Sequence, residues 1–90
     1  MTEAEPRLAL RKDDLVWQVV EGDIVALDFP ARTYFATNGT GAVLWELLRH
    51  GTTRAELITT MRDRYRIGAD QAATEVDEFL SQLAHHGLLA

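Results

Sequence analysis

Three histidines, a single serine and a short run of carboxylates are the side chains with which this chain would do chemistry. His85 and His86 are adjacent, which on a helix turns them about 100° apart, so they do not form the i, i+4 pair of a helical metal site. His50 and Ser81 stand alone, and no Ser-His-acid arrangement is evident. The absence of cysteine removes a thiolate zinc site, a thiol nucleophile and a disulfide framework together. Asn38-Gly-Thr-Gly is too short for a phosphate loop and lacks its lysine, so it reads as a turn entering a helix. Glu75, Asp77 and Glu78 would clamp a basic group if they lined a groove and would otherwise solvate a helical face. These residue types point to binding, and no catalytic residue, metal or cofactor is expected.

The charge balance narrows the class of partner. All nine Lys and Arg residues lie at or before Arg66, whereas Asp70, Glu75, Asp77 and Glu78 follow it with no base among them. A C-terminal segment of this kind repels a phosphate backbone. Residues 1–12 have no apolar signal-peptide core, and no stretch approaches the 18 apolar residues of a membrane span. Together with the lack of cysteine this gives the expectation of a cytoplasmic protein with no nucleic-acid or membrane partner. Ninety residues, 47% of them hydrophobic and 26% charged, match ordinary globular composition and leave room for one core.

The elements that must position any site follow from periodicity. Leu15 to Val20 is β-branched and aromatic, and Glu21-Gly-Asp turns it into Ile24 to Phe29 as a hairpin. Pro30-Ala-Arg makes a second turn, and Thr33 to Thr37 supplies a third strand before Asn38-Gly-Thr-Gly ends it. Beyond Gly41 the period becomes helical. Val43, Leu44, Leu47 and Leu48 form a stripe with Trp45 beside it, predicting a helix from about Thr40 to His50 that Gly51 stops. Thr53 and Glu56 have the capping-box spacing for a second helix carrying Leu57, Ile58, Met61 and Tyr65 on one face. Asp70 is the expected N-cap of a third, whose Ala72, Val76, Phe79, Leu80 and Leu83 make its apolar face and which Gly87 ends.

Strands followed by helices predict an α+β domain, winged-helix-like, with a three-stranded antiparallel sheet followed by three helices. Its outer strands carry backbone N–H and C=O groups that need water or a partner. Between Thr33 and Thr37 no Pro or Lys blunts the third strand, so an extended peptide can pair there by strand addition. Tyr34 and Phe35 point to opposite faces, so at least one belongs to the core. Two other readings share this architecture. A DNA-binding winged helix would bring bases to its recognition helix; the third helix has none, and the second offers Arg54, Arg62 and Arg64, offset by Glu56 and Asp63. A protein-protein adaptor would differ only in taking a folded surface in place of a short segment.

The ordered series Asp23-Ile-Val-Ala-Leu-Asp, Tyr34-Phe-Ala-Thr-Asn-Gly-Thr-Gly-Ala-Val-Leu-Trp-Glu-Leu-Leu, Gly51-Thr-Thr, Glu56-Leu-Ile, Glu75-Val-Asp-Glu-Phe-Leu, Leu83 and Gly87-Leu-Leu resembles the PqqD-like family. The resemblance covers about Leu15 to Ala90. It departs from the family's usual pattern at Thr37, where Leu is usual, and at Glu75, where Asp is usual. It implies a peptide-recognition domain over 14–90 preceded by a loosely packed or poorly ordered extension over 1–13. It further implies a RiPP recognition element: a non-catalytic module that takes the leader segment of a ribosomally made precursor peptide as an added strand. The groove would lie between the third strand and the third helix. The implied site is Thr33, Tyr34, Phe35 and Ala36 on the pairing edge, with Glu75, Val76, Phe79, Leu80 and Leu83 as the helical wall, of which not all can face the groove. A carboxylate at Glu75 facing the groove would favour a peptide with Lys or Arg nearby. The implied partners are the precursor's leader peptide and a separate leader peptidase or modifying enzyme, as for the discrete recognition proteins of lasso-peptide pathways.

Overall fold

Six elements follow one another in the computed structural model, which describes residues 6–90. They are β1 (Leu15–Val20), β2 (Asp23–Asp28), β3 (Thr33–Thr37), α1 (Gly39–His50), α2 (Arg54–Tyr65) and α3 (Ala69–His85). The strands form an antiparallel meander in the order β1-β2-β3, so β3 is an edge. Glu21 and Gly22 both take positive φ, 52° and 86°, the signature of a type I′ turn whose twist suits a two-residue hairpin.

Strand alternation decides which side chains meet the helices. Trp17, Ala26 and Phe35 are cross-strand neighbours on the inner face, and Ile24 joins them there. Their core partners are Leu44, Trp45 and Leu48 of α1, Leu57 and Met61 of α2, and Ala72, Val76, Phe79 and Leu83 of α3. Full burial of each large apolar side chain contributes about 1.5–3 kcal/mol, which makes this cluster the main stabilising element. The opposite face of the sheet is uncovered: the row Val16, Leu27 and Tyr34 is 54%, 45% and 68% exposed.

The helix boundaries follow the expected signals with one correction. Asn38 caps α1 by accepting from the Gly41 N–H, and Thr53 caps α2 by accepting from the Glu56 N–H. Gly51 stops α1 at a positive φ of 91°. Asp70 is not the cap of α3; the helix begins at Ala69 with Gly68 as N-cap and no side-chain cap bond, and Asp70 sits in the first turn. A carboxylate there still suits the positive end of the helix dipole. Trp45, expected beside the α1 stripe, lies at its centre and is fully buried, while Val43 is only half-buried.

Of the segment 1–13 expected as an extension, residues 1–5 lie outside the described residues. Leu8 pairs with Thr52, its N–H donating to the Thr52 carbonyl at 2.7 Å, and the Leu10 N–H reaches the Leu48 carbonyl at 3.1 Å. Leu10 is buried. The Arg11 guanidinium bonds the Asp28 carboxylate at 2.7 Å and the Gly87 carbonyl at 3.0 Å, tying the end of β2 to the turn after α3. That guanidinium hydrogen bond holds the Asp28 carboxyl below the usual carboxylate range, against the opposing effect of burial. Among the described residues no helix is long and apolar enough to cross a membrane.

Candidate functional site

The hairpin geometry fixes which backbone groups of β3 are free. A two-residue hairpin closes on a pair that exchanges both backbone bonds, here Val20 with Asp23, and bonding direction alternates from there. Along β2, Asp23, Val25 and Leu27 therefore bond toward β1, and Ile24, Ala26 and Asp28 toward β3. Their partners Thr37, Phe35 and Thr33 turn their N–H and C=O inward. Tyr34 and Ala36 are left with donor and acceptor directed at the open edge, where an extended chain in register would satisfy them.

Beside this edge runs a groove walled by α3. Phe35, only 7% exposed, forms its floor: its ring lies 6.3 Å from Phe79 and 5.3 Å from His86, both edge-on, and stacks at 6.0 Å on Trp45. Toward the Thr37 end the groove deepens into a cavity of about 260 Å³. Gly41 and Phe79 make part of its base, and Glu75, Glu78 and Gln82 stand along its α3 side. Gly41 has a steric reason to lack a side chain. A Cβ there would overlap the Thr37 hydroxyl and come within 3.0 Å of the Phe79 ring.

The nine residues proposed from sequence are thus sorted by position. Thr33, Tyr34 and Ala36 are exposed on the edge strand, and Phe35 lies beneath it. Glu75 and Phe79 line the cavity. Val76 and Leu83 are wholly buried and belong to the core behind the wall. Leu80 is half-buried and turned about 140° around the helix from Glu75, on the side where the neighbouring Asp77 meets α2. Gln82, Glu78 and His86 are groove residues missing from that set. They fall on one face with Glu75 and Phe79 at i+3, i+4 and i+7 spacings, a polar stripe legible only once the face opposite β3 is known.

The three acids of α3 have different surroundings. Asp77 takes a forked pair of bonds from Arg54 of α2, Nε to Oδ1 at 2.8 Å and Nη2 to Oδ2 at 2.9 Å. That pairing lowers its pKa below the usual carboxylate value despite some desolvation. Glu75 and Glu78 take part in no ion pair among the described residues and face the cavity.

Comparison with known proteins bears on this geometry. The family model of coenzyme PQQ synthesis protein D (PqqD) matches residues 23–89. The solved structure of TbiB1 in complex with the TbiA(beta) leader peptide is 26% identical, with a TM-score of 0.80 over 87% of this chain and 91% of that one. Lasso peptide synthetase B1 complexed with the leader peptide is 19% identical, with a TM-score of 0.81 over 92% and 96%, a likeness of fold alone. No curated protein matches.

Proposed function

The chain belongs to the PqqD family, and from that premise we propose that it is a non-catalytic module that captures the leader segment of a ribosomally made precursor peptide. The leader adds as a fourth strand along β3, bonding to the outward amides and carbonyls of Tyr34 and Ala36, with alternate side chains entering the groove beside α3. The observation that carries this reading is the free edge itself, set directly beside a groove with an aromatic floor. The leader peptide bound to TbiB1, a structural relative at 26% identity, supports the same ligand class.

Capture brings the precursor to a separate leader peptidase or modifying enzyme. The uncovered apolar row Val16, Leu27 and Tyr34 lies on the sheet face away from the helices, so it stays open to such an enzyme while the edge is occupied. The module works in the cytoplasm, on a peptide partner and without nucleic acid: α3, the candidate recognition helix, presents Asp70, Glu75, Asp77 and Glu78 and no Lys or Arg.

An NMR titration of labelled protein with leader peptides encoded beside its gene, and with a duplex DNA as control, tests the reading. Shifts along Thr33 to Thr37 and at Glu75, Phe79 and Gln82 are expected. Shifts with DNA alone, centred on Arg54 to Arg66, would replace peptide capture with a transcriptional winged helix.

A further inference from the structure

We infer that the cavity between the end of β3 and α3 is a subsite for a Lys or Arg side chain of the captured peptide, held by Glu75 and Glu78. The inference rests on the strand-addition reading and specifies which peptides that site prefers.

The register of an added strand determines what enters the cavity. A peptide bonded to Tyr34 and Ala36 places the residues opposite those two on the outer sheet face, because paired residues on neighbouring strands share a face. Residues opposite Phe35 and Thr37 then project inward, toward α3. The one above Phe35 meets the floor formed with Phe79. The one opposite Thr37 points at the cavity, which Thr37 itself lines.

Its shape and charge select the side chain. About 260 Å³ is many times the roughly 10–15 Å³ that one water needs on the same measure, so a long side chain fits. At the base the edge of the Phe79 ring offers apolar surface to an aliphatic stem, whereas the α3 rim offers two carboxylates one helical turn apart. A stem that packs on apolar surface and a tip that carries positive charge describe Lys and Arg. Among the described residues no Lys or Arg forms an ion pair with Glu75 or Glu78: residues 67–90 contain neither type, and Arg54 is engaged with Asp77 on another face. The preferred ligand therefore carries an apolar residue and a basic residue two positions apart, the first over Phe35 and the second in the cavity.

Selection from an mRNA-displayed library of random 16-residue peptides, run in parallel on the wild-type chain and on the Glu75→Gln/Glu78→Gln variant, tests this. Wild type is expected to enrich peptides with an apolar and a basic residue at that spacing, and the variant to enrich the apolar residue alone. For a selected peptide, replacing the basic residue by norleucine should weaken binding to wild type by about two- to fivefold and leave binding to the variant unchanged. Enrichment without a basic position, or with the same one in both selections, overturns the subsite while leaving capture intact. No enrichment over the naive library overturns capture and the subsite with it. The variant changes two side chains outside the core, and matching circular dichroism spectra establish that both selections used folded protein.

Discussion

Ala36→Pro separates the edge of β3 from its ladder. The Ala36 N–H points to the open side, so proline there removes no bond to β2, and edge strands accept proline in this orientation. Phe35, the preceding residue, is already extended, as a residue before proline must be. The free protein should keep its fold. The complex loses one N–H···O=C bond, a net cost of about 0.5–1.5 kcal/mol, and leaves a peptide carbonyl facing a proline ring, about 1–3 kcal/mol if that carbonyl is shielded from water. Because Ala36 is exposed, the lower part of that range applies, and a total of about 1.5–3 kcal/mol corresponds to a loss of about ten- to a hundredfold in affinity. Isothermal titration calorimetry with the cognate leader peptide measures it, and circular dichroism melts check the fold. Phe35→Pro is the contrasting control: it removes a ladder bond and the buried ring, and should unfold the domain. Binding by folded Ala36→Pro within about twofold of wild type would refute strand addition at this edge.

Three further outcomes follow from particular contacts. Asp28 has a folded-state pKa below its ordinary 3.8, so its pairing with Arg11 contributes stability above that value and loses it as the pH falls through the lowered one. Urea titrations over an acid series should show Asp28→Asn less stable than wild type at neutral pH, with a shallower acid limb. Gly41→Ala drives a methyl into the Thr37 hydroxyl and the Phe79 ring, and should cost about 1–3 kcal/mol in chemical denaturation while narrowing the cavity. Thr53→Ala removes the α2 cap bond to the Glu56 N–H at 3.2 Å and should lower stability by about 1 kcal/mol by the same measurement.

Local chemistry explains what the sequence discloses and what it withholds. The strands were legible because Glu21-Gly-Asp and Asn38-Gly interrupt β-branched runs, and Thr53 with Glu56 marked its helix by a local bond. Sequence alone leaves Tyr34 and Phe35 as alternatives because alternation says that neighbours part, without saying which goes inward. Pairing Phe35 with Ala26, under Trp45, decides it. Trp45 lay off the stripe's expected centre because its burial comes from aromatic partners on β1 and β3, distant in sequence. The groove face of α3 was hidden for the same reason: Glu75, Glu78 and Gln82 look like any solvated stripe until tertiary packing sets β3 opposite them. Arg11 and Asp28, 17 residues apart, offered no local pattern at all.

The aromatic stack behind the edge strand also makes the molecule its own optical gauge. Trp45 is fully buried and stacks on Phe35 at an interplanar angle of 13°. An indole in so dry a setting emits at short wavelength. Trp17, half-buried, meets it edge-on at 5.8 Å and lies under the Arg49 guanidinium, so the two indoles report from one cluster. Tightening or displacing Phe35 from the edge side alters the surroundings of that emitter directly. Unlabelled protein in a cuvette therefore carries a signal tied to the strand through which a ligand enters.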